Sequence, residues 1–111
     1  MIEKIRLLLE YGTYPLWLYD ENGLVIDNDN PPEWKDDRKL TSAFMELSDY
    51  YDSFFINNEK VFEYKGIQNK EDSDRLRTLY VTAKKILLEK NRGKYLIQDD
   101  ITEEDLTGHT P

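Results

Sequence analysis

The chain has no cysteine, which excludes a disulfide framework and a thiolate zinc site and is compatible with a reducing compartment. Its one histidine, His109, stands third from the end of the sequence in a segment expected to be mobile, so neither a Ser-His nor a Cys-His arrangement has a base on a rigid element. Glycine is sparse and solitary. Gly12, Gly23, Gly66, Gly93 and Gly108 each fall at the end of a predicted element, where turns and helix stops need them, and no phosphate-cradling loop can be assembled from them. No stretch approaches the roughly 20 apolar residues of a membrane span. At the start, Glu3, Lys4, Arg6 and Glu10 interrupt Ile2, Ile5, Leu8 and Leu9, leaving no apolar core or cleavage site of a signal peptide. A cytoplasmic protein without membrane contact is expected.

What is present suits a folded domain. Of 111 residues, 39% are hydrophobic, with eight Tyr, four Phe and two Trp, too much apolar material for a disordered chain and enough for one core. The 23 acids outnumber the 15 bases, giving a net charge of −8, which argues against a nucleic-acid partner because phosphate binding needs clustered Lys and Arg. The charge is unevenly distributed. Residues 20–63 hold twelve acids and four bases, residues 64–98 four acids and nine bases, and residues 99–111 five acids and no base. The sign presented to a partner therefore depends on the surface exposed.

Along the chain, Ile2, Ile5, Leu8 and Leu9 repeat at helical spacing and predict a helix over 2–11, stopped by Gly12. Residues 13–19 and Leu24-Val25-Ile26 read as strands, and the Asn22-Gly23 pair between them is the signal of a type I′ hairpin turn. Pro15 cannot donate a ladder bond, so the first of these strands begins there or lies at an edge. The run from Asp27 to Trp34, with its Asx residues and Pro pair, is a loop. A helix follows over about 37–53, capped by Asp36 or Asp37, with Leu40, Phe44, Leu47 and Tyr51 as its apolar stripe. Phe54, Phe55 and Ile56 extend that stripe until Asn57-Asn58. Residues 60–65 alternate as a strand. The longest helix spans about 71–91, starting at Asp72 or Ser73, burying Leu76, Leu79, Tyr80, Ala83, Ile86 and Leu87, and ending at Gly93. Tyr95-Leu96-Ile97 reads as a last strand, and a polar tail from 99 carries one turn of helix at 102–106. The expectation is one α+β domain over 1–98, in the order α-β-β-α-β-α-β, with about four strands in an antiparallel or mixed sheet.

Chemistry-bearing patterns are few. Asp27-Asn28-Asp29-Asn30 resembles the opening of a calcium loop, but the sixth and twelfth positions hold Pro32 and Arg38 where Gly and Glu are required. The Asx residues are better read as shaping a turn, and neither metal nor cofactor is expected. No pair of carboxylates is marked for acid–base work, so an enzyme is not expected, and a small carboxylate-dependent one is the remotest alternative. Lys84, Lys85, Lys90, Arg92 and Lys94 could touch phosphate, but basic residues near a helix C-terminus also complement its dipole. The remaining feature is an acidic, aromatic middle: Tyr19, Asp20, Glu21, Asp27, Asp29, Glu33, Trp34, Asp36, Asp49 and Tyr50. Rings supply anchoring area and carboxylates steer a basic partner, so these residues are the candidate partner-binding site.

The segments Tyr14-Pro15-Leu16-Trp17-Leu18-Tyr19-Asp20-Glu21-Asn22-Gly23-Leu24-Val25-Ile26-Asp27-Asn28 and Tyr51-Asp52-Ser53-Phe54-Phe55-Ile56-Asn57-Asn58 resemble parts of small uncharacterised proteins of Gram-positive bacteria. Some of those sit beside secreted toxins and resemble immunity proteins, compact acidic α+β folds that block a toxin domain by direct binding. The resemblance covers at most half the chain and transfers no individual site residue. It implies an inhibitor of a basic partner such as a toxin domain. The alternative is a subunit or adaptor of a larger bacterial or phage assembly, with Trp17, Trp34, Phe54 or Phe55 partly exposed until a partner covers them.

Overall fold

Where helical spacing predicts a first helix, the chain is extended. A computed structural model describes residues 1–57 and 60–108, and strand β1 occupies Ile2–Leu7. Two periods coexist in this stretch: Ile2, Ile5, Leu8 and Leu9 suit a helix, while Ile5, Leu7 and Leu9 suit a strand, and the second set is the buried one. The strand prevails because partners lie on both sides of it. Strand β2, Leu16–Asp20, pairs antiparallel and sets Ile5 opposite Leu18 and Leu7 opposite Leu16. Strand β6, Leu96–Asp99, pairs parallel and sets Ile5 opposite Ile97.

The hairpin expected around Asn22-Gly23 forms, joining β2 to β3, Val25–Asp27, but its turn is not type I′. Only Gly23 takes a positive φ, 80°. Its amide donates to the Asp20 carbonyl at 3.1 Å, and the Asp20 amide donates to the Leu24 carbonyl at 2.9 Å, which makes a three-residue loop with glycine in the left-handed position. The Asp20 carboxylate fixes this loop by accepting from the amides of Asn22 and Leu24, both at 2.9 Å. The sheet order is β3-β2-β1-β6, so β3 and β6 are its edges.

Helix α1, Arg38–Asp52, begins as expected: the Asp37 carboxylate accepts from the Leu40 amide at 2.9 Å. Leu40, Phe44 and Leu47 on its stripe are fully buried. Beyond it the stripe does not continue as helix; Phe55–Asn57 becomes strand β4 and pairs with β5, Phe62–Tyr64, in a separate hairpin. The main sheet therefore has four strands, but β1 takes the place expected for residues 60–65. Helix α2, Lys70–Asn91, starts a little earlier than expected because Asn69 is the residue whose side chain caps it. It ends with Arg92 and Gly93 both at positive φ.

Both helices pack on one face of the sheet, where Ile5, Leu7, Leu16 and Leu18 meet Leu40, Phe44, Leu47, Leu76, Ala83 and Leu87 in a single core. Each such Leu or Phe contributes about 1.5–3 kcal/mol by leaving water. The opposite face is covered by its own polar lattice. Lys4 donates to Gln98 at 2.7 Å, Gln98 to Asp100 at 2.6 Å, and Arg6 to Asp100 at 2.5 Å and to the Tyr19 hydroxyl at 3.1 Å. Residues after 98 are more than a polar tail: Ile101 and Leu106 are buried. Helix α3, Glu103–Thr107, is closed by a Thr102–Asp105 capping box and tied to α2 by a two-pronged Arg77–Glu103 contact at 2.6 and 2.9 Å. His109 lies outside the described residues. Among those described, no helix is long and apolar enough to cross a membrane.

Candidate functional site

A cleft of about 580 Å³ opens at the β3 edge, lined by Met1, Ile2, Leu18, Ile26 and Asp27 on the sheet side and by Pro32, Glu33, Lys94 and Tyr95 opposite. Its sheet wall comes from an irregularity in the hairpin. Leu18 faces Asp27 while the next residue, Tyr19, faces Val25, so Ile26 is an extra residue in β3. Such a bulge re-aims side chains, and here Ile26 and Asp27 both reach the cleft.

The far wall is built by the Pro-rich segment and by the chain leaving α2. Pro31 and Pro32 start a short 3-10 turn, Pro32–Trp34. The Trp34 indole is buried and meets the Tyr95 ring edge-on at 5.6 Å. Buried Asn91 fixes the Tyr95 backbone from both sides, accepting from its amide and donating to its carbonyl at 2.9 Å each. The Tyr95 hydroxyl so placed donates to one Glu33 oxygen at 2.5 Å, and Lys94 donates to the other at 3.1 Å. The Tyr95 hydrogen bond, joined by Lys94, holds the Glu33 carboxyl below its usual range. Burial, with Glu33 adding to it, pushes the Tyr95 phenol up to about 12.

The loop joining the walls is fastened by its Asx residues. Asn28 accepts from the Tyr14 amide at 3.0 Å and donates to the Tyr14 and Leu16 carbonyls, at 2.5 and 2.8 Å. Buried Asn30 accepts from the Tyr14 hydroxyl at 2.6 Å and donates to Thr41 at 2.9 Å. Among the described residues, no group of three or more His, Asp or Glu side chains is arranged to hold a metal ion.

The structure brings only part of the acidic, aromatic set together. Asp27 and Glu33 line the cleft. Glu21 reaches it through the terminal amine of Met1, 3.5 Å away, and Asp20 serves the adjoining turn. Asp29 lies 3.8 Å from Lys35, and Asp36 is exposed in a separate shallow depression with Lys35 and Arg38. Tyr19 stands on the open sheet face with the Lys4 amine 4.7 Å from its ring centre. Trp34 is a buried support of Tyr95, not an exposed anchor. Asp49 and Tyr50 sit elsewhere: the Tyr50 hydroxyl donates to Asp72 at 3.0 Å, near the start of α2. Asp72 and Lys94 are separated by most of α2, which at ~1.5 Å per residue is about 33 Å long.

Charge segregation in the sequence becomes charge pairing in space. Lys94 engages Glu33, Lys90 engages Asp37, and Lys84 engages Asp99 at 2.7 Å, so three of the five basic residues considered for phosphate are already matched. Of the rings considered for an assembly contact, Trp34 and Phe54 are buried and Trp17 and Phe55 half-buried. The apolar side chains that are exposed include Leu24, Val25 and Ile26, at 64, 51 and 49%, which are consecutive, and the separate Leu96, Phe62 and Val81. Sequence reasoning missed Met1, Ile2, Leu18, Ile26 and Tyr95 as parts of a site, and weighed Lys94 only for phosphate. The one local signal was three apolar residues in a row at the end of a hairpin, a pattern without the polar alternation of a half-buried strand. No protein-family model matches the chain, and no curated protein sequence matches it.

Proposed function

We propose that this protein is a non-catalytic protein-binding module that takes a basic protein partner on the cleft face, between the β2–β3 hairpin and the 28–37 segment. The observation that carries the reading is the pairing of exposed Leu24, Val25 and Ile26 with a cleft whose rim carboxylate, Asp27, joins no ion pair among the described residues. Apolar area gives such a contact its anchorage and unpaired charge gives it its approach rate. The ionisable groups opposite support binding over catalysis. A general acid needs a carboxyl raised toward neutrality, and a tyrosine base needs its phenol lowered; Glu33 and Tyr95 are displaced the other way.

An immunity-type inhibitor holding the basic surface of a toxin domain is the form of this reading favoured by the resemblance of residues 14–28 and 51–58. The test is to capture the partner with tagged protein and measure association with an Asp27→Lys, Asp29→Lys, Asp36→Lys triple variant. We expect association slowed about tenfold or more at low salt and the difference shrinking as salt rises, with thermal unfolding little changed. Capture and rates equal to the parent protein's would overturn the reading.

A further inference from the structure

Strand β3 is an edge strand, short, bulged at Ile26 and ending on Asp27, whose outer side is not paired with any described strand. Sheet edges are normally blunted by charge, proline, bulges, short length or a covering element; here the bulge and Asp27 act only at the end of the strand, and Leu24, Val25 and Ile26, which precede Asp27, are apolar and at least half-exposed or nearly so. The cleft begins directly at this edge, since Ile26 and Asp27 form part of its wall. A strand laid beside β3 would direct alternate side chains toward the cleft, because side chains in a strand alternate between faces.

The charges around the edge are mostly negative. Asp20 and Glu21 precede it in the turn, Asp27 closes it, and Glu33 faces it, while the nearby cations Lys94 and the Met1 amine are engaged by Glu33 and Glu21. We infer that β3 receives an extended, basic segment of the partner by strand addition: backbone pairing along the free edge, one apolar side chain in the cleft, and Lys or Arg beside Asp27. The inference rests on the protein-binding reading above and adds its geometry and the partner's chemistry. A second copy of this chain fits worse, because edge-to-edge pairing would bring Asp20, Glu21 and Asp27 of two molecules of net charge −8 together.

β3 is only three residues long, so the ladder is short and the apolar anchor must supply much of the affinity. The experiment uses a displayed library of random ten-residue peptides selected against the intact protein, followed by synthesis of the enriched sequences with and without alternate backbone N-methylation. The expected result is enrichment of Lys or Arg alternating with apolar residues, with about tenfold weaker binding on N-methylation in one alternate register and about tenfold weaker binding to an Ile26→Ser variant. Basic peptides that bind equally well when methylated in either register would overturn strand addition and leave the basic-partner reading standing. Enriched peptides without basic character, or no enrichment over blank support, would overturn both. A protein dimer in light scattering that is lost in Ile26→Ser would assign the edge to a second copy and overturn the inference.

Discussion

At the C-terminal end of α2 the chain is fastened by charge and hydrogen bonds: Lys90 to Asp37, Lys94 and Tyr95 to Glu33, and Asn91 to the Tyr95 backbone. At the other end of the molecule, around the β4–β5 hairpin, it is fastened by rings. Phe55 sits 5.0 Å from Tyr11, 5.3 Å from Tyr51, 5.8 Å from Phe62 and 4.8 Å from Tyr64, measured between ring centres. The charged end therefore holds its side chains in set geometry, because it depends on donors meeting acceptors at set distances, whereas the ring end contributes buried area.

The sharpest way to break this contrast is to remove the ring at the centre of the cluster. Phe55→Ala should cost about 2–4 kcal/mol, somewhat below the range for a fully buried phenylalanine because Phe55 is half-buried. Urea unfolding measures it, and a loss under 1 kcal/mol would mean that the rings merely lie near one another. Asn91→Ala should cost about 1–3 kcal/mol, because the Tyr95 amide and carbonyl both lose their side-chain partner beside a buried position. A companion Asn91→Asp variant sharpens the point: it keeps the acceptor for the Tyr95 amide but loses the donor, so it should not recover the parent's stability.

Acid gives the smallest effect and the clearest spatial signature. Hydrogen bonding to Lys90 and the Leu40 amide holds the Asp37 carboxyl below its usual range, as Tyr95 and Lys94 do for Glu33. Carboxylates lowered on folding stabilise the native state above their unfolded pKa, about 4, and that contribution is lost as pH falls through their folded values. The loss is modest at Glu33, because Lys94 is about half exposed and solvent screens the pair. Burial raises the Asp52 carboxyl, which accepts from the Gly12 amide beside the rings, so chemical shifts followed from pH 5 downward should change at Gly12 and Tyr51 before Trp34 and Tyr95; the reverse order would remove the distinction.

The legible parts of the fold were those fixed by neighbours in sequence. Leu40, Phe44 and Leu47 needed only the helix period, and Asp37 only its place before that helix. The illegible parts depended on residues far along the chain. Nothing local tells Ile5 that Ile97 will lie beside it, so the 2–9 segment offers a helix and a strand in equal measure until β6 arrives. The candidate site divides the same way. Asp27 and Glu33 were visible as carboxylates near a loop, but their relation to Lys94 and Tyr95 is made by the return of the chain after α2. Tyr50 and Asp49 looked adjacent to the acidic loop on paper because α1 is continuous, and fifteen residues of helix carry them to its far end.

The parallel pairing of β1 with β6 has a consequence for biosynthesis. Lys4 to Leu7 find their last neighbours at Leu96 to Asp99, so a nascent chain emerging from the ribosome holds a sheet with one open side until residues 96–99 have been made. A chaperone that shields extended apolar segments has its longest opportunity there, and the final closing step is the one most exposed to mispairing.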